Sequence, residues 1–168
     1  MTRERMLLGG IAVLAAGLAV AVYPTLDQRV INPGDAAPAF SVKTESGATI
    51  TPASFGGKVL VLNFWASWCR PCIEEFGGLN QFAQEAAGQG VVVLGVSVDR
   101  NEKGYRRFLE SYRPSFLTSR DPEAEIAANY GTFLFPETYI IDKDGKVVKK
   151  IIGPIQDWND LRASVKSL

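Results

Sequence analysis

A chain of 168 residues, 46% of them hydrophobic, is long enough for one ordinary domain with its own core and little more. Its 18 basic residues are balanced by 18 acidic ones, so there is no electrostatic footprint for nucleic acid and no such partner is expected. Histidine is absent, which removes the commonest general base, the commonest zinc ligand and any Cys–His nucleophile pair.

The first 24 residues stand apart from the rest. Arg3 and Arg5 precede a run from Met6 to Tyr23 that carries no charge. As a helix this run spans about 27 Å, close to the hydrocarbon thickness of a bilayer. The apolar region of a cleaved signal peptide is shorter, about 7–15 residues. Ala19-Val20-Ala21 nevertheless fits a small-x-small cleavage pattern, so a signal peptide stays as the alternative. Length favours an uncleaved signal anchor over residues 1–24. The arginines favour a cytoplasmic N-terminus, so the remainder is expected outside the cytoplasm, in a periplasm or on the outer face of the cell membrane. Residues 25–34 contain Pro and Gly and read as a linker, with a single domain over 35–168.

Within that domain Phe40–Thr44 and Thr49–Thr51 flank Ser46-Gly47 and read as a short hairpin. "KVLVLNFWA" is nearly continuous in apolar residues, as expected of a strand buried on both faces. Arg70 to Ala87 reads as a helix with Ile73, Phe76, Leu79, Ala83 and Ala86 on one stripe. "VVVLGVSVD" is a second buried strand, Glu102–Tyr112 a helix and Phe116–Thr118 a short strand. Pro122–Tyr130 reads as a helix begun by Asp121 with Pro122 in its first position. "ETYIIDKDGKVVKKIIG" is a hairpin turning through Asp144-Gly145. Trp158, Leu161, Val165 and Leu168 then recur at helical spacing. Strands alternating with helices and closing on a hairpin predict an α/β fold around a mixed central sheet.

The two cysteines of the chain sit in "NFWASWCRPCIEEF", where the first buried strand ends and a helix begins. Cys69 therefore falls at a helix N-terminus, where free N–H groups and the positive end of the dipole stabilise a thiolate. CxxC cysteines so placed have pKa values lowered to about 3.5–7.5. Arg70 adds positive charge, and Pro71 lacks an N–H that the first turn would leave unsatisfied. Cys72 follows one turn later, within disulfide reach. A loop this small restrains the unfolded chain little, which argues against a structural staple. A lone CxxC supplies two of the four ligands of a zinc site, and nothing completes it, so no metal is expected. The pair reads as a working redox couple.

"NFWASWCRPC", the proline-bearing "FPETYIID" and the closing "DGKVVKKIIG" resemble the thioredoxin superfamily, and within it the membrane-anchored TlpA, ResA and DsbE-type branch. The resemblance covers about Asp35 to Leu168. It implies a thioredoxin-like fold: a mixed sheet with helices on both faces, an N-terminal hairpin and a central helix/strand insertion. It also implies a thiol–disulfide oxidoreductase, most members of the branch being reductants, with Cys69 as nucleophile and Cys72 as resolving thiol. Pro136 matches the proline whose preceding bond is cis, turning the backbone of Phe135 toward a client peptide. Glu75 matches the branch's carboxylate near the active site, able to relay a proton or repel a thiolate, against a plain solvated glutamate such as Glu74. Glu137 resembles the "PET" glutamate of the cytochrome-maturation subgroup, or caps a strand edge. Trp68 is expected at the disulfide rim with Arg70 and Pro71, and Trp65 in the core.

The sequence departs from the family at three points. Asn63 replaces the buried aspartate of cytosolic thioredoxin, as is common in this branch. Gly77-Gly78 stands near the usual kinking proline and weakens the helix by roughly 1 kcal/mol per glycine. Phe133-Leu134-Phe135 places apolar bulk before Pro136, as a wall for a client or as buried packing. The implied partners are oxidised client proteins, apocytochrome c among them, and a membrane thiol-electron carrier as reductant; no cofactor is implied, and a monomer is expected. Two alternatives share the fold. A peroxiredoxin-like peroxidase needs Pro-x-x-x-Thr-x-x-Cys, and a copper-delivery protein needs CxxxC with a distant histidine; the residues around Cys69 offer neither.

Overall fold

The computed structural model describes residues 30–168 together with Leu14 and Gly17. Apart from those two residues, the expected anchor over 1–24 lies outside the described residues; among the described ones no helix is long and apolar enough to cross a membrane. In chain order the elements are β1 (Val42–Lys43), β2 (Thr49–Ile50), a 3-10 turn (Pro52–Phe55), β3 (Val59–Trp65), α1 (Arg70–Ala86), β4 (Val91–Ser97), α2 (Glu102–Tyr112), β5 (Leu117–Arg120), α3 (Glu125–Asn129), β6 (Glu137–Ile141), β7 (Val147–Ile152) and α4 (Trp158–Lys166).

Every residue of β3 is buried, which a strand can satisfy only at the centre of a sheet covered on both faces. The five-stranded order is β5-β4-β3-β6-β7, with β3, β4 and β5 parallel and β6 and β7 antiparallel. The pair β1–β2 forms the separate antiparallel hairpin expected from the sequence. Alternation along β3 divides the core. Leu60, Leu62 and Phe64 join α2 and α3 residues such as Phe108 and Ala127, while Val59 and Val61 join Leu79 and Phe82 of α1 and Leu161 and Val165 of α4. The fold is thus the thioredoxin-like mixed sheet with helices on both faces.

Trp65 lies in the core, with ring centroids 4.8 Å from Phe108 and 5.5 Å from Phe76. Such pairs add about 0.5–1.5 kcal/mol each beyond area burial. The packing demands a glycine across the sheet, because a Cβ on Gly95 would sit 2.9 Å from Phe116 and 3.0 Å from the Trp65 indole nitrogen.

Four local readings change. Helix α3 opens at Glu125, not at Pro122. Asp121 does cap it, its carboxylate accepting the N–H groups of Glu125, Ile126 and Ala127 at 2.9–3.1 Å. The cap reaches across a turn in which Ala124 takes φ 55°, so Pro122 never enters the helix. Strand β5 starts one residue late and runs two residues further than expected, to Arg120, because its parallel pairing with β4 continues to Ser97, while Phe116 ahead of it packs against Phe76. On α1, Ile73 and Ala83 are only partly buried, and Cys72, Glu75 and Phe82 take the inward face. Within the expected linker, Ile31 is buried in the core and the Gly34 N–H donates to the Val147 carbonyl, so packing against the domain begins at Ile31.

Candidate active site

Strand β3 runs out at Trp65, and a short loop, Ala66–Trp68, delivers Cys69 to the N-cap of α1. Cys69 and Cys72 are joined as a disulfide, so the molecule is in its oxidised form. The Cys72 N–H points at Cys69 Sγ from 3.3 Å. A helix-terminal donor aimed at that sulfur stabilises a thiolate there once the bond is reduced. Cys69 is 6% exposed and Cys72 2%, so the outer sulfur is the one a client meets first. Pro71 lies in the first turn, where its missing N–H costs nothing. Arg70 is exposed and turned along the helix to Glu74, 3.0 Å away, so its charge is partly neutralised by that partner. The expected assistance of Arg70 to Cys69 is correspondingly reduced.

Glu75 is not a surface glutamate. It is 6% exposed, with one carboxylate oxygen accepting the Asn63 amide at 3.0 Å and the other the Ile155 N–H at 2.8 Å. Burial pushes its carboxyl above the usual range, and the two donors pull it partly back. Asn63 also donates to Thr138 Oγ1 at 2.9 Å, tying β3 to β6 beneath the cysteines. Glu75 borders a cleft of about 220 Å³ beside Gly78 and Trp158, so it sits near a route to solvent. A buried carboxyl one turn from Cys72 can hold a proton or oppose a nearby thiolate by like charge.

Across the disulfide the Phe135–Pro136 peptide bond is cis. The Phe135 carbonyl oxygen lies 3.5 Å from Cys69 Sγ, and among the described residues no backbone N–H donates to it, which leaves it open to an incoming strand. Trp68 is 66% exposed and meets the Phe135 ring edge-on at 6.3 Å. Leu134 is 70% exposed and Phe133 is also exposed, whereas Phe135 is half-buried and packs against the core, so the two expectations divide along this stretch. Glu137 is buried and ion-paired with Lys150 at 2.8 Å.

Sequence reasoning missed two groups. Asp99 is buried, and its carboxylate accepts the Ser67 N–H and hydroxyl, both at 2.8 Å, and the Ser97 hydroxyl at 2.6 Å, which holds the loop leading to Cys69. Its only signal was an acid closing a buried strand. Lys150 carried no signal, since it reads as one of two surface lysines. Among the described residues no group of three or more His, Cys, Asp or Glu side chains is disposed to hold a metal ion.

Residues 33–150 match the AhpC/TSA family. The thiol-disulfide oxidoreductase ResA of Bacillus cereus is 34% identical over 127 residues, covering 76% of this chain and 73% of that protein. ResA of Bacillus subtilis is 29% identical over 151 residues, covering 89% and 84%. A thiol:disulfide interchange protein of DsbE type from Chlorobium tepidum superposes with a TM-score of 0.77 at 29% identity, over 82% of this chain and 97% of that one. With its CxxC disulfide at a helix N-cap in this setting, the chain belongs to the AhpC/TSA family, among the thiol–disulfide oxidoreductases of ResA and DsbE type.

Proposed function

We propose that the protein is a membrane-anchored, extracytoplasmic reductant of protein disulfides, with apocytochrome c cysteines as its clients and a membrane thiol carrier as its electron source. The observation that carries this reading is the approach of the Phe135 carbonyl to Cys69 Sγ, 3.5 Å, on an open face with exposed Trp68, Phe133 and Leu134. An extended client chain pairing with that carbonyl brings its own disulfide to Cys69. Export is supported by the uncharged run from Met6 to Tyr23 behind two arginines.

In the reduced protein the Cys69 thiolate attacks a client sulfur, forming a mixed disulfide and releasing the other client sulfur as a thiolate. The Cys72 thiolate then attacks Cys69 Sγ, closing the Cys69–Cys72 bond and releasing the second client thiol. Two electrons pass to the client, and the carrier returns two to the pair. Pro136, Phe135 and Trp68 present the client; Glu75 takes up or returns the Cys72 proton.

The test is trapping. Reduced Cys72→Ser retains the attack and lacks the resolving step, so clients accumulate covalently on Cys69, whereas Cys69→Ser traps nothing. Mass spectrometry of the adducts names the clients: apocytochromes c support the maturation role, and a broad set of exported proteins replaces it with general reduction. Trapping by Cys69→Ser would overturn the assignment of the nucleophile.

A further inference from the structure

The loop 131–136 carries the carbonyl that faces Cys69, yet little holds its middle. Among the described residues no backbone–backbone hydrogen bond is donated by Phe133, Leu134 or Phe135, and Phe133 and Leu134 project into solvent. Apart from the Phe135 ring, which packs against the core and Trp68, the loop is held from its ends. At the entrance the Tyr139 hydroxyl donates to the Tyr130 carbonyl at 2.8 Å and lies 3.0 Å from Thr132 Oγ1. At the exit Glu137, next to Pro136, is paired with Lys150 at 2.8 Å, both side chains almost wholly buried. Lys150 joins the two ends, because its ammonium also lies over the Tyr139 ring, 5.2 Å from the centroid. A lysine buried this far is costly unless paired. Here burial opposes its charge, and the Glu137 carboxylate and the Tyr139 hydroxyl outweigh that, so its pKa is raised and it stays protonated.

We propose that Lys150 is a positioning residue for client exchange: with Glu137 and Tyr139 it clamps both ends of the 131–136 loop and so sets the Phe135 carbonyl in register with Cys69. The inference rests on the client-pairing reading above. Lys150 touches neither sulfur nor client, so its removal should affect the docking of a polypeptide and spare a small disulfide that needs no strand pairing.

The experiment is single-turnover oxidation of the reduced protein by insulin and, separately, by cystamine. For Lys150→Met we expect the half-saturating insulin concentration to rise at least fivefold, with the limiting rate and the cystamine rate within twofold of the parent. Lys150→Arg should lie close to the parent. The double variant Glu137→Gln/Lys150→Met removes the unpaired buried charge, so its thermal stability should recover while the insulin defect stays. Unchanged insulin saturation in Lys150→Met overturns the clamp, as does a defect that tracks stability and vanishes in the double variant. If the parent does not react with insulin, insulin is not among its clients, the trapping experiment above decides the client reading, and amide chemical shifts decide the clamp: changes in Lys150→Met concentrated at 131–136 support it, and their absence there overturns it.

Discussion

Burial raises the Glu75 carboxyl, and the Ile155 N–H and the Asn63 amide only partly offset it. A proton therefore binds the native state more tightly than the unfolded chain. The contribution of Glu75 to stability is intact below the ordinary carboxylate pKa and is lost as pH rises through the raised value, at about 1.4 kcal/mol per unit of difference. Unfolding measured against pH should thus show the parent losing stability across that window, while Glu75→Gln shows a flatter profile. The same residue bears on chemistry. An ionised carboxylate near two thiols disfavours thiolate formation, so Glu75→Gln should shift the alkylation profile of Cys69 to lower pH. Superimposed alkylation profiles would leave Glu75 with only a structural role, as the acceptor for Asn63 and Ile155.

Helix α1 runs unbroken from Arg70 to Ala86 through two adjacent glycines whose surroundings are opposite. Gly77 is exposed, and a Cβ there meets nothing within 4 Å. On Gly78 a Cβ would lie 2.4 Å from the Trp158 ring, so this glycine is where α4 closes on α1. Gly78→Ala is expected to destabilise by about 1–3 kcal/mol through overpacking. Gly77→Ala should stabilise by up to about 1 kcal/mol, since only helix propensity changes. Denaturant unfolding of the two variants separates the effects, and equal values would refute the contact with Trp158. The cleft beside Glu75 is bounded by the same Gly78 and Trp158, so the Gly78 variant should also disturb access to that carboxyl.

At the scale of the whole molecule the proposal joins a catalytic domain to an apolar N-terminal run. The full chain is expected to remain in the membrane fraction after an alkaline carbonate wash, and a chain starting at Thr25 to be released. A membrane-impermeant maleimide should label the reduced cysteines in intact cells. A mature chain beginning after Ala21, read by mass spectrometry, would replace the anchor with a cleaved signal, and failure to label would refute export.

Much of this protein is legible from local pattern. The start of β4, both boundaries of α2, the core position of Trp65 and the helix N-cap at Cys69 follow from hydrophobic period, turn residues and the CxxC placement, all of them short-range features. The start of α3 departs from the expected Pro122 because its cap reaches over an intervening turn, which no adjacent-residue rule anticipates. The resemblance pointed to Glu75 and Glu137, but their surroundings were decided by distant partners: Ile155, 80 residues away, for Glu75, and Lys150 on the neighbouring strand for Glu137. Lys150 has no local signature at all, and Asp99 only that of an acid closing a buried strand. A charged side chain reads as surface until the fold supplies it with a buried partner, and that pairing depends on strand order and register, which exist only once the chain has closed on itself.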